Sequence, residues 1–180
     1  AAPAPDQGGA TETGSQTGLQ EIVVTAQRRS EKLQNVPIAI TAANAEALAV
    51  ARVDNVSNIA AISPSVNFRV SNIASSSATL VIRGLGTTGT SRSFEGSVGV
   101  FIDGVYRSRA GAALQDFLDI DNLQVLRGPQ GTLFGKNTTA GALLLTSAKP
   151  SFSGYNGRFE AGYGNYDSYI VRGEIGRAHV

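Results

Sequence analysis

Three glycines with the spacing of a dinucleotide-binding motif follow a predicted strand. Gly84, Gly86 and Gly89 match GxGxxG. Asp103 follows at about the sequence separation at which such motifs place the acidic residue that binds the ribose. In such a site the third glycine begins a helix, and the N-terminus of that helix binds the pyrophosphate. The chain continues instead as TSRSFEGSVGV, which has no helical apolar stripe, so we predict no nucleotide site.

Other patterns that could do chemistry are incomplete. The loop GTLFGKN lacks the first glycine and the Ser/Thr of a phosphate-binding loop, because Gln130 and Asn137 occupy those positions. The acidic residues 116, 119 and 121 do not surround the glycine of a calcium loop. Cysteine is absent and the single histidine is His179, which excludes disulfides, thiolate metal sites and a Ser–His–acid triad.

The composition excludes further classes of protein. The formal net charge is +1, without the clustered Lys/Arg face of a nucleic-acid-binding domain. We therefore expect no enzyme, no catalytic or metal-binding residue, no cofactor and no nucleic-acid partner.

The elements alternate irregularly between short strands and short helices, which predicts a small α+β domain over residues 30–150. Asn44 is expected to cap one helix, and Asp54 or Asn55 a second. The second helix carries apolar residues at every third position, Val53, Val56, Ile59 and Ile62. A third helix is predicted over residues 111–119. Strands are predicted at 36–41, 77–84, 122–128 and 141–147, with a hairpin around Asp103-Gly104.

The two ends of the chain have a different character. Residues 1–19 contain one large apolar side chain and predict a flexible leader. The β-branched segment QEIVVTA follows; it is either an edge strand of the domain or a strand that adds to another protein's sheet. After Pro150, apolar and polar residues alternate in two segments around the turn GNYD. That alternation is typical of a transmembrane β-barrel hairpin, and also fits an ordinary exposed hairpin.

These segments together resemble the plug domain of TonB-dependent receptors. The resemblance covers residues 20–176 in the order QEIVVTAQRR, VPIAIT, TLVIRGLG, GVFIDGVYRSR and LQVLRGPQGTLFGKNTTAGALLLTSAKP. The last string is long and specific. Its strand LLLTS departs from the family, which tends to have a polar residue between the apolar ones.

The resemblance implies an α+β plug, a small mixed β-sheet with short helices, followed by the first antiparallel strands of a transmembrane β-barrel of about 22 strands. The plug would sit in the barrel lumen in the outer membrane and gate the energised uptake of a scarce nutrient such as an iron–siderophore complex. The alternative is a stand-alone plug-like periplasmic binding or signalling module. The implied segments are a periplasmic leader (1–19), TonB box and connector (20–29), plug (30–150) and first barrel hairpin (151–173).

The resemblance also implies site residues. Arg83 and Arg127 match positions that pair with carboxylates of the barrel wall, since a charge removed from water needs a partner; solvated arginines at strand ends are the alternative. Loop position makes Arg92, Tyr106, Arg107 and Arg109 candidates for contact with a small molecule or metal chelate. The TonB box, which would add as a strand to the C-terminal domain of TonB, comprises Glu21, Ile22, Val23, Val24, Thr25 and Ala26.

The end of the chain carries two expectations. EIGRAHV equals the translation of a common sequencing-library adapter preceded by one base, so residues 174–180 are predicted to be an artefact. Two membrane strands cannot close a barrel, so we expect a fragment of a longer protein, with a plug that folds only marginally without its barrel.

Overall fold

A mixed five-stranded sheet forms the centre of the fold. The computed structural model describes residues 23–24, 29, 31–70, 78–87, 95–108, 111, 119–149 and 156–176. The described strands are β1 (Val23–Val24), β2 (Glu31–Lys32), β3 (Ala39–Asn44), β4 (Val66–Val70), β5 (Ala78–Ile82), β6 (Val98–Ile102), β7 (Val105–Arg107), β8 (Ile120–Arg127), β9 (Gly141–Ser147), β10 (Asn156–Gly164) and β11 (Ser168–Gly176). The described α-helices are α1 (Ala45–Val50) and α2 (Gly131–Phe134), and the 3₁₀ helices are Leu33–Asn35 and Val56–Ala61.

The central sheet has the order β3-β8-β9-β6-β7. β6 and β9 are parallel, and the other neighbours are antiparallel. Three separate two-stranded sheets join β1 to β2, β4 to β5 and β10 to β11. The predicted mixed sheet with short helices is confirmed.

Both faces of the sheet are covered, so its inner strands β8 and β9 contribute to two cores. Successive side chains of a strand point to opposite faces. The first core lies under α1, the 3₁₀ helix Val56–Ala61 and the β4–β5 pair, and includes Leu48, Val56, Ile59, Val66, Leu80, Ile82, Leu123, Val125, Leu143 and Leu145. The second core, on the opposite face, is built from Val24, Val36, Phe101, Leu126, Ala142 and Leu144. The apolar Leu144 of LLLTS is therefore a core residue of the second face.

The predicted helix caps are present, but the second helix is of a different type. Asn44 Oδ1 accepts a hydrogen bond from Ala47 N at 2.9 Å and begins α1. Asn55, rather than Asp54, caps the second helix by accepting from Ser57 N at 2.9 Å. This helix is 3₁₀, with three residues per turn. The three-residue apolar spacing therefore aligns Val56 and Ile59 on one buried edge.

The turn between β6 and β7 is the predicted hairpin. Asp103 and Gly104 have φ values of 51° and 78°, as a type I′ turn requires. The Asp103 carboxylate also accepts hydrogen bonds from Ser147 N at 2.7 Å and from Ser147 Oγ at 2.9 Å. The hairpin is thereby tied to the end of β9.

Some boundaries differ from the sequence-based expectation, and one predicted helix is not tested. The strand expected at 36–41 is β3, which begins at Ala39. The helix expected at 111–119 falls almost entirely outside the described residues. β11 ends at Gly176 rather than Gly173, and the origin of residues 174–180 stays a prediction. Within the described ranges, no helix has the length and apolar character needed to cross a membrane.

Gly141 is predicted to tolerate no side chain. A Cβ there would collide with the carbonyl oxygen of Leu126 in the neighbouring strand, and backbone of an inner strand cannot move aside. Gly141→Ala should lower the free energy of unfolding by about 1–3 kcal/mol, measured by urea denaturation. Gly131→Ala is the control, because its Cβ would have no neighbour within 4 Å. Equal stability of the two variants would contradict this packing.

Candidate functional site

The segment expected to be the TonB box forms a strand within this chain. Val23 pairs with Lys32 and Val24 with Glu31 in an antiparallel ladder. The Val24 side chain is 0% exposed and packs in the second core. The remaining predicted box residues, Glu21, Ile22, Thr25 and Ala26, lie outside the described residues.

The residues after β2 continue the same cover of the second face. The 3₁₀ turn Leu33–Asn35 redirects the chain, and Val36 is buried against the sheet. Leu33 and Ile38 pack at the edge of the second core. We call the described residues from Val23 to Ile38 the N-terminal cover, because their apolar side chains shield that face of the sheet from water.

Arg127 lies at the end of β8 without a charged partner among the described residues. Its side chain is half-buried, and its Nη2 donates to the Ile40 carbonyl at 3.5 Å, which is a long hydrogen bond. Its Nε is buried and has no hydrogen-bond partner within the part of the chain that the structure describes. A buried N–H group without a partner is destabilising, so the guanidinium is only partly satisfied by this part of the chain.

Arg83 has a different environment. It follows β5 in the left-handed region with φ 53°, next to Gly84 with φ 77°. Its backbone N donates to the Ser65 carbonyl at 2.8 Å, while the residue as a whole is exposed. The structured backbone fixes the position of Arg83, and its side chain forms no salt bridge with another described residue.

Two of the four ligand-contact candidates, Tyr106 and Arg107, lie on the edge strand β7. The Tyr106 hydroxyl accepts a hydrogen bond from Asn137 Nδ2 at 2.8 Å, and its ring lies 5.5 Å from that of Phe101. Arg107 is exposed. Arg92 and Arg109 lie outside the described residues.

An ion pair that the sequence reasoning missed lies beside these residues. Lys136 Nζ lies 2.9 Å from Glu95 Oε2 and donates a hydrogen bond to Glu95 Oε1 at 3.0 Å. That hydrogen bond and the opposite charge raise the pKa of Lys136. Lys136 and Asn137 belong to the string GTLFGKN, which does not match a phosphate-binding loop. Nothing else in that string indicated an ion pair with Glu95. We call Glu95, Tyr106, Arg107, Lys136 and Asn137 the edge surface.

The hairpin β10–β11 presents two chemically different faces. The outer face is exposed and apolar. Its side chains are Phe159 (75% exposed), Tyr163 (79%), Tyr169 (78%), Val171 (64%) and Ile175 (85%). The opposite, inner face of the hairpin lies across a cleft from α1. The residues that line this cleft include Leu48, Ile120 and Arg158. Arg172 of this face forms an ion pair with Asp54 at 3.0 Å. The two faces thus differ in polarity, although the apolar Ile170 lies on the face toward α1. The assignment of this hairpin to a barrel stays a prediction.

Comparisons with known proteins give one consistent family. The family model described as TonB-dependent Receptor Plug Domain matches residues 32–142. The pesticin receptor of Yersinia pestis is 28% identical over 156 residues, which are 86% of this chain and 22% of that protein. The chain thus spans less than a quarter of the length of this relative.

Solved structures show the same fold. The ferric yersiniabactin uptake receptor of Yersinia pestis is 28% identical with a TM-score of 0.63, over 73% of this chain and 20% of that chain. The pyoverdine outer membrane receptor of Pseudomonas aeruginosa PAO1 has 19% identity and a TM-score of 0.64, over 85% of this chain and 21% of that chain. At this lower identity the similarity supports the fold alone.

A charge at position 24 is predicted to release β1. Val24→Asp places an unpaired carboxylate in the second core, which is strongly unfavourable. Antiparallel pairs alternate between hydrogen-bonded and non-hydrogen-bonded, so one of the adjacent amides Glu31 and Lys32 donates to β1. We expect hydrogen exchange of that amide to accelerate about tenfold or more. Gln34→Asp adds the same charge at an exposed position and should leave that amide unchanged. Unchanged exchange in Val24→Asp would show that β1 is not held by burial of Val24.

Proposed function

Because this chain belongs to the TonB-dependent receptor plug domain family, we propose that it is the gate of an outer-membrane transporter. The observation that carries this proposal is the family match over residues 32–142, which runs from β2 to the start of β9 and so includes most of the central sheet. The relatives are receptors rather than enzymes. In this proposal the plug fills the lumen of a barrel in the outer membrane and the N-terminus lies in the periplasm.

The proposed cargo is an iron–siderophore complex. Its support is the similarity, at 28% identity, to the receptor named for ferric yersiniabactin uptake. The edge surface offers a place for such a ligand, because Arg107 is exposed and makes no ion pair with another described residue. Tyr106 adds an aromatic face beside it. Arg92 and Arg109, which lie outside the described residues, are proposed as further contacts for an anionic chelate on their loop position in the sequence alone.

The TonB box is proposed to be residues 21–26, with the C-terminal domain of TonB as its partner. The support is that Val23–Val24 already forms a β-ladder, and the same backbone groups can pair with a strand of another protein. The intramolecular ladder is two residues long, and a ladder this short contributes little without its buried side chain. The strand can therefore change partners once Val24 leaves the second core. A flexible leader, residues 1–19, would allow the TonB box to extend into the periplasm toward TonB.

The hairpin β10–β11 is proposed to be the first part of the barrel wall. Its support is the apolar outer face, which suits acyl chains, opposite an inner face that carries Arg158, Glu160 and Arg172. In the same barrel, Arg127 would pair with a wall carboxylate, because its buried Nε has no partner in the described part of this chain. Arg83 is proposed to make a second such pair.

Proline substitutions test the TonB box directly. Successive backbone N–H groups of a strand point to opposite sides, so Val23→Pro and Val24→Pro remove donors on opposite sides of β1. If the box adds to a sheet of TonB, at least one of the two variants should lose about tenfold in affinity for the TonB C-terminal domain.

The measurement is titration of the purified chain with that domain by calorimetry. Val23→Ala is the matched control, because it shortens the side chain and keeps the N–H; its affinity should stay close to that of the parent chain. Binding of both proline variants with parental affinity would contradict strand addition at this segment.

A further inference from the structure

Asp54 is held in a fixed position between two helices. α1 ends at Val50, and Arg52, two residues later, lies in the left-handed region with φ 51°. Val53 N donates a hydrogen bond to the Leu48 carbonyl at 2.9 Å. This is the geometry of a Schellman-type helix end. Asn55 then caps the following 3₁₀ helix. Burial of Val53 and Val56 on either side fixes the corner to the first core, so Asp54 projects from a rigid support.

Arg172 contacts two carboxylates from different parts of the molecule. Its Nη1 lies 3.0 Å from Asp54 Oδ1 and 3.7 Å from Glu160 Oε2. Glu160 is the residue directly opposite Arg172 in the β10–β11 ladder. The Arg172 side chain is 24% exposed, which leaves it only partly hydrated. A guanidinium has five N–H donors and can bind both carboxylates together.

We propose that the corner around Asp54 is the docking surface for the inner face of hairpin β10–β11, with Arg172 as a shared cation between the two. In the docked state Arg172 binds Asp54 and lies near Glu160. When the hairpin separates from the corner, Arg172 keeps Glu160, because that residue moves with it on the neighbouring strand. The description of this hairpin as barrel wall rests on the proposed function, but the docking itself does not.

The consequence is a contact that fixes position and remains breakable. Loss of a carboxylate on separation leaves a partly buried guanidinium less well compensated, which opposes separation. Retention of Glu160 reduces that penalty. The plug corner can then be aligned with the hairpin without being locked to it. Glu160 is in this sense a positioning residue that tunes the strength of the Asp54–Arg172 pair.

The test is a double-mutant cycle in the complete 180-residue chain. The variants are Asp54→Asn, Arg172→Gln and the combination, each with Glu160 present and with Glu160→Gln. The readout is amide hydrogen exchange of residues 168–176. A two-stranded hairpin alone is marginally stable in water, so its protection reports docking. Amides of β8 and β9 are followed in parallel to separate undocking from loss of the fold.

With Glu160 present, each single substitution should accelerate exchange in β11 by about two- to fivefold. The double variant should exchange no faster than the single variant that exchanges faster. The coupling between Asp54 and Arg172 is the factor by which the exchange rate of the double variant falls short of the product of the two single effects. In the Glu160→Gln background this factor should increase at least about twofold. Arg158→Gln, on the same face and without an ion pair among the described residues, should leave exchange unchanged.

Additive effects of Asp54→Asn and Arg172→Gln would overturn the docking surface. Equal coupling with and without Glu160 would overturn the shared cation. Both results are independent of TonB binding and of uptake, so failure of the cycle leaves the proposed transport function standing. Conversely, loss of TonB binding would not alter the cycle.

Discussion

The fold depends on one constraint: the inner strands β8 and β9 are apolar on both sides and must be shielded from water on both faces. Leu123 and Leu143 point into the first core, and Leu126 and Leu144 into the second. Burial of apolar surface is the main favourable contribution to folding, so neither cover is dispensable. The first cover is local and built from helices and the β4–β5 pair. The second is the N-terminal cover, so part of the segment proposed to bind TonB also contributes to the stability of the fold.

The two covers of the central sheet differ in how firmly they are attached. The first core is enclosed by α1, a 3₁₀ helix and a five-residue ladder between β4 and β5. The N-terminal cover is attached by a two-residue ladder and a few apolar side chains. In the proposed function, a pull on β1 would therefore act first on the more weakly attached cover. On the other side of the molecule, the corner at Asp54 meets the hairpin through a partly exposed ion pair, a contact of modest strength.

Local patterns in the sequence were sufficient for much of the fold. Asp103-Gly104 predicted its hairpin because positive φ at both central residues favours that pair, and Asn44 predicted the start of α1. The three-residue apolar spacing predicted a helix, although its period corresponds to a 3₁₀ helix. The partner of β1 could not be predicted, because two paired residues leave no periodic signal. The Asp54–Arg172 pair joins residues 118 positions apart, and single charged residues carry no indication of such a partner.

β1 is the part of the N-terminal cover that lies within the proposed TonB box; Val24 on this strand belongs to the second core. Hydrogen exchange of this chain with excess TonB C-terminal domain tests most directly the proposal that β1 also binds TonB. If Val23–Val24 transfers to a sheet of TonB, the β2 amide that donates to β1, which is one of Glu31 and Lys32, loses its partner. That amide should exchange faster, while those of β8 stay protected. If TonB binds and the exchange of Glu31 and Lys32 is unchanged, β1 keeps its intramolecular partner and the account is contradicted.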